Sequence, residues 1–85
     1  MSYQFQRWII TLEAQVRALH ESMSYEPVEK LRRDVETCEA ELQQLYAYAE
    51  QRNVDLMKYH HPFAEIEEHL LLLYKFFTEK QQGME

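Results

Sequence analysis

The sequence has 85 residues, with 15 aspartates and glutamates against 9 lysines and arginines, a formal net charge of −6, and one cysteine. A chain of this length makes one domain, here spanning 1–85, and buries only about 60 to 65% of the surface that its unfolded form exposes. The single Cys38 excludes an intramolecular disulfide and a thiolate zinc cluster, so we expect self-association or binding of a partner protein to supplement a thin core.

Charge and hydropathy also restrict the partners. The one adjacent basic pair, Arg32-Arg33, is followed by Asp34, so the clustered cations that bind phosphates are missing and no nucleic-acid partner is predicted. No apolar run is longer than the five residues of Leu70 to Tyr74, whereas a membrane span needs about 20. The N-terminus lacks a signal-peptide pattern. We therefore predict a cytoplasmic protein without a membrane partner.

The first predicted helix covers about residues 3–22. Its apolar residues recur at gaps of four and three, which places them on one stripe of a helix. They are Phe5, Ile9, Leu12, Val16, Leu19 and Met23. Ser22 and Ser24 then interrupt the pattern, and Pro27 marks the start of the next helix because the first helical turn tolerates proline.

The second predicted helix covers about residues 26–52 and has a coiled-coil type of repeat. Its stripe contains Val28, Leu31, Val35, Cys38, Leu42, Leu45 and Ala49. The same register continues through the following residues, so two structures stay open. Either one long helix is kinked at Pro62, or the chain breaks between Asn53 and His61, where Asn53 can take the left-handed conformation that ends a helix.

The third predicted helix covers about residues 63–81, followed by a flexible tail at 82–85. Its stripe is Phe63, Ile66, Leu70, Leu73, Tyr74 and Phe77. The three segments have similar lengths, which favours an all-α antiparallel three-helix bundle with coiled-coil-like heptad packing. The alternative is a helical hairpin whose long second helix is kinked at Pro62.

A group of histidines and glutamates raises the possibility of a metal site. His61, Glu65 and His69 are four residues apart and would share one helix face, with His60 and Glu68 nearby. Imidazole and carboxylate ligands on helices can bind a metal, and the candidate ligands are Glu65, Glu68 and His69. The competing interpretation makes His61 a capping residue before the helix, and Glu65 and His69 an exposed pair.

Nothing in the chain indicates catalysis. A single glycine excludes a phosphate-binding loop, and Cys38 falls on an apolar stripe where a thiol is an ordinary core residue. No catalytic residue, cofactor-binding residue or cofactor is predicted, and we expect the protein not to be an enzyme.

The apolar content of the third helix exceeds what one stripe can bury. Leu71, Leu72 and Phe76 lie outside the stripe, as do residues on the other two helices. Surplus apolar and aromatic residues rimmed by charge are typical of protein interfaces. The candidate interface is Leu71, Leu72, Phe76, Trp8, Ile10 and Tyr48. We expect a homodimer centred on the third helix, with Leu72 and Phe76 as its anchors.

These observations support two functional hypotheses. The first is an acidic helical protein–protein interaction module, such as an adaptor, a chaperone-like binder or an inhibitor, which acts through the apolar surface of the third helix. The alternative is a metal-binding helical bundle that uses the His and Glu residues between positions 60 and 69.

Overall fold

The computed structural model describes the backbone of residues 2–83 and the side chains of residues 3–80. Within these residues the chain forms three α-helices, α1 (Ser2–Ser22), α2 (Val28–Gln51) and α3 (His60–Gly83), and a 3₁₀ turn at Leu56–Tyr59 that leads into α3. The bundle measures 48 × 19 × 18 Å. The predicted all-α three-helix bundle is confirmed. The kinked hairpin is wrong, because α2 ends at Gln51 and the chain reverses before α3 begins.

The three predicted apolar stripes meet along the axis of the bundle. Phe5 near the start of α1 contacts Tyr48 near the end of α2 and Tyr59 just before α3, so α2 runs antiparallel to both other helices. The buried residues are Phe5, Ile9, Leu12, Val16, Leu31, Val35, Cys38, Leu42, Leu45, Ala49, Phe63, Ile66, Leu70, Leu73 and Phe77. Four residues of the stripes are not fully buried. Leu19, Met23 and Val28 lie at the ends of their stripes and are partly buried, and Tyr74 is exposed.

The turn between α1 and α2 forms where the sequence interrupts the first stripe. The amides of Tyr25 and Glu26 donate to the carbonyl of Ser22 at 2.9 and 3.1 Å, which closes the end of α1. Pro27 has the extended ψ of 137° and occupies the N-cap of α2. Its carbonyl accepts the first helical hydrogen bond from Leu31 at 3.0 Å. Helix α2 therefore begins at Val28, two residues after the predicted start.

The junction between α2 and α3 is a break with a defined geometry. Asn53 has a positive φ of 55°, the left-handed conformation predicted for it, and Val54 donates to the carbonyl of Ala49 at 2.9 Å. The Asp55 carboxylate then accepts a hydrogen bond from the Met57 amide at 3.1 Å. Arg52 is exposed, with its guanidinium 4.8 Å from the Tyr48 ring centroid, and marks the end of the packed seam.

Helix α3 begins at His60, three residues earlier than predicted, and ends at Gly83, two residues later. Pro62 lies in its first turn, where the missing amide hydrogen has no helical partner to lose. Of the predicted flexible tail, residues 82 and 83 belong to α3, and residues 84 and 85 lie outside the described part of the chain.

The left-handed conformation of Asn53 gives a prediction about stability. Asn53→Val should lower the free energy of unfolding by about 1–2 kcal/mol, because a β-branched side chain is strained at positive φ. Asn53→Gly is the control and should be neutral or stabilising. Urea denaturation followed by circular dichroism measures both variants. Equal stability of the valine and glycine variants would contradict the geometry of this turn.

Candidate functional site

Histidines and glutamates from two helices meet between α1 and α3. Glu13 and His20 of α1 lie beside Glu65 and His69 of α3, and we call these four residues the α1–α3 cluster. One ligand atom from each of Glu13, Glu65 and His69 lies within 4.8 Å of the others. Nδ1 of His69 is 3.2 Å from Nδ1 of His20, and Nε2 of His69 is 3.7 Å from Oε2 of Glu65.

Helix geometry places these side chains together. Glu65 and His69 are four residues apart and therefore neighbours on one face of α3. Glu13 and His20 are seven residues apart, which is about two helical turns, so they share a face of α1. Helices α1 and α3 run in the same direction and pack closely. The cluster is only partly accessible to water, since the side chains of Glu13 and His69 are 16% and 17% exposed.

One further side chain on each helix flanks the cluster. The Arg17 guanidinium lies 3.4 Å from the Glu13 carboxylate, and His61 lies 3.7 Å from the other oxygen of Glu65. His61 is the second residue of α3, so it is not a capping residue before the helix. The pair of Glu65 and His69 was expected to be exposed, but His69 is mostly covered because it contacts His20 across the helix interface.

The structure brings together part of the predicted ligand set. Glu65 and His69 are adjacent, whereas Glu68 is exposed and belongs to no group of potential ligands among the described residues. Sequence reasoning missed Glu13 and assigned no metal role to His20. The pattern within α3 contained no signal for them, because their approach depends on how α1 packs against α3.

A second feature is a shallow groove between α2 and α3, which we call the α2–α3 groove. It has a volume of about 270 Å³. Its lining residues are Glu39, Leu42, Gln43, Tyr46, Glu67, Leu70, Leu71 and Tyr74. Leu71 is 69% exposed beside the partly exposed Tyr74, so two large apolar side chains face solvent in the middle of α3.

Tyr46 fixes one wall of this groove. Its ring stacks on Phe63 with 4.9 Å between centroids, and its hydroxyl donates a hydrogen bond to the Glu67 carboxylate. Burial raises the pKa of Tyr46 well above its usual value, and the hydrogen bond and the negative charge of Glu67 raise it further. The phenol therefore stays protonated, and its hydrogen bond orients the Glu67 carboxylate on the rim.

The six predicted interface residues divide into two groups. Leu71, Ile10 and Leu72 are exposed, although Leu72 only to 37%. Trp8, Tyr48 and Phe76 are partly buried and pack against the core within the single chain, and their place at an interface stays a prediction. A helix in a three-helix bundle contacts two neighbours, so its buried surface is wider than one stripe.

Contacts of Trp8 and Tyr48 show how the bundle accommodates them. The Trp8 indole Nε1 donates to the Glu41 carboxylate at 2.9 Å. The Tyr48 ring lies 5.6 Å from the Phe5 centroid and 5.9 Å from that of Trp8. These aromatic contacts join α1 to α2 and keep both side chains partly buried.

Cys38 is buried in the core, as its place in the repeat predicts. Burial raises the pKa of its thiol, and the negative charges of Glu41 and Asp34 add to the effect. A thiol in this environment is protonated at neutral pH and is a poor nucleophile.

Comparison with known proteins gives no relative from which a function could be transferred. No family model, curated protein or solved structure matches this chain. A search of the described residues for a helix long and apolar enough to cross a membrane finds none.

Proposed function

We propose that this protein is a protein–protein interaction module that binds a basic amphipathic segment in the α2–α3 groove. The observation that carries the proposal is the position of Leu71, which is 69% exposed at the middle of α3 and beside Tyr74. Both side chains line the α2–α3 groove, together with Tyr46 and Glu67. The proposed surface is thus on the third helix, although on a different side from Leu72 and Phe76.

Burial of this pair on binding supplies affinity. Full burial of a leucine side chain contributes about 1.5–3 kcal/mol of binding free energy. A tyrosine adds apolar area, and its hydroxyl can stay hydrated at the edge of the interface. A central apolar anchor within a charged rim is the usual arrangement of a small interface. Leu71 is the anchor in this arrangement, since Leu70 beside it is already buried in the bundle.

Charge selects the partner. Glu39 and Glu67 line the groove, and the exposed Glu36 lies one helical turn from Glu39 on α2. Lysines or arginines that flank an apolar stretch of the partner would pair with these carboxylates. Such charge pairs raise the association rate and fix the alignment of the partner more than they raise the affinity. The net charge of −6 favours the same kind of partner at longer range.

A second copy of the chain is the competing occupant. In a two-fold dimer through this groove the rim glutamates of both copies would approach each other, which opposes association. A homodimer centred on Leu72 and Phe76 remains a separate prediction, with less apolar surface to drive it because Phe76 is partly buried. Light scattering of the purified protein distinguishes a monomer from either dimer.

The experiment places a photo-crosslinking amino acid at position 71 and, as a control, at position 3, where Tyr3 is equally exposed on α1. We expect crosslinks in native cells from position 71 to a partner segment with basic residues around an apolar stretch, and few from position 3. Leu71→Glu should weaken binding of that segment at least about tenfold, a loss of about 1.4 kcal/mol, whereas Ile10→Glu should not.

Three results would contradict the proposal. Equal crosslinking from positions 71 and 3 would indicate nonspecific contact. Crosslinks from position 71 only to a second copy of the chain would identify a homodimer. Binding that is unchanged by Leu71→Glu would place the interface elsewhere.

A further inference from the structure

We infer that Glu13, Glu65 and His69 form a binding site for one zinc-like divalent transition-metal ion between α1 and α3, with His20 orienting His69. The inference is independent of the α2–α3 groove, which lies on the other side of α3. It changes the ligand set expected from the sequence, because Glu13 replaces Glu68 and the site joins two helices.

The distances allow three ligands to reach one ion. The three ligand atoms lie within 4.8 Å of one another. Zinc binds imidazole and carboxylate ligands at about 2.0–2.2 Å, so tetrahedral ligands are about 3.4 Å apart. Rotation of the two glutamate side chains brings the ligand atoms to this separation, since Glu65 is 42% exposed and has room to turn. The fourth position is left for water.

The contact between the two histidines prepares His69 as a ligand. Two Nδ1 atoms at 3.2 Å require that one carries the proton and the other accepts it. When His69 donates, its Nε2 holds a lone pair, and this is the nitrogen that faces Glu65. Metal-binding histidines usually donate their second ring nitrogen to an acceptor that fixes tautomer and orientation. His20 has this role here.

Charge balance also favours a cation in the cluster. The cluster contains two carboxylates. The guanidinium of Arg17 pairs with Glu13, whereas Glu65 lies beside only His61 and His69, which carry charge only when protonated. Arg17 is more than half exposed and can turn away into solvent. A bound dication would take its place beside Glu13, so Arg17 competes with the metal.

The donor types select among metals. An imidazole nitrogen favours zinc, copper, iron or nickel over calcium and magnesium, which prefer all-oxygen sites. Cys38 is buried in the core with its pocket between α1 and α2, so thiolate ligation takes no part. Zinc is the probe of choice because its titration involves no change of oxidation state.

Isothermal titration of zinc chloride into chelator-treated protein tests the site. We expect one ion per chain, with binding at least about tenfold weaker in His69→Ala and in Glu13→Gln, and about tenfold weaker in His20→Phe, which removes the acceptor but keeps a ring. Arg17→Gln should bind about two- to fivefold more tightly, because a competing surface ion pair is removed. Circular dichroism without metal confirms that each variant folds.

Two matched controls lie on α3. Glu68→Gln and His60→Ala alter exposed groups on the same helix that do not contact the three ligands, and should leave zinc affinity within about twofold. The visible spectrum of the cobalt-substituted protein gives a second readout, and His69→Ala should remove it. Absence of stoichiometric zinc binding overturns the site. So does zinc binding that survives His69→Ala but is lost when His60 and His61 are replaced.

Discussion

Leu73→Ala should lower the free energy of unfolding by about 2–5 kcal/mol, whereas Leu71→Ala, two residues earlier on the same helix, should change it by less than about 0.5 kcal/mol. Leu73 has no exposed surface, so its truncation leaves a cavity at the centre of the bundle. Leu71 extends into solvent and contributes little to the core. Chemical denaturation of both variants measures the difference.

The comparison also tests the rotation of α3 about its axis. The two substitutions remove the same atoms from the same helix, so helix propensity cancels and only burial differs. A domain has a total stability of about 5–15 kcal/mol, and one of this size is expected near the lower end, so we expect Leu73→Ala to leave the chain largely unfolded at 37 °C. Equal losses for both variants would mean that α3 presents a different face to the core.

Phe5→Ala should lower the free energy of unfolding by about 3–5 kcal/mol, the usual range for removal of a buried aromatic side chain. The Phe5 ring is 2% exposed, contacts Tyr59 edge-on with 5.1 Å between centroids, and stacks on Tyr48 at 5.6 Å. It therefore joins α1, the end of α2 and the turn before α3. Thermal unfolding followed by circular dichroism measures the loss.

Tyr3→Ala is the control for this prediction, because Tyr3 is exposed in the same turn of α1. Its replacement should shift the melting temperature by no more than about 2 °C, as for a surface change worth a few tenths of a kcal/mol. A loss in Phe5→Ala no larger than that in Tyr3→Ala would contradict the packing of this end of the bundle.

The fold follows from the spacing of apolar residues to a large extent. Every residue of the buried core lies on a predicted stripe, because period and burial are linked by helix geometry. The register alone did not determine where α2 ends, since it runs without a phase change through the junction. Asn53 and Asp55 determine the break, through a positive φ and through a side-chain hydrogen bond to the Met57 amide, and the apolar pattern includes neither.

The candidate sites were less predictable, for a physical reason. The pairing of Glu65 with His69 follows from their separation of four residues. Glu13 and His20 join them only because α1 and α3 are parallel neighbours with a particular rotation, which is a property of the packed bundle. The same limitation applies to Trp8 and Tyr48, whose burial depends on the contact between α1 and α2.

Trp8 gives the molecule a built-in optical reporter. It is the only tryptophan in the sequence, and its indole is hydrogen-bonded to Glu41 and lies edge-on to Tyr48. Its emission wavelength and quenching by small solutes therefore report whether α1 is docked on α2. This signal comes from the side of α1 that faces α2, so it follows the integrity of the bundle without an attached dye.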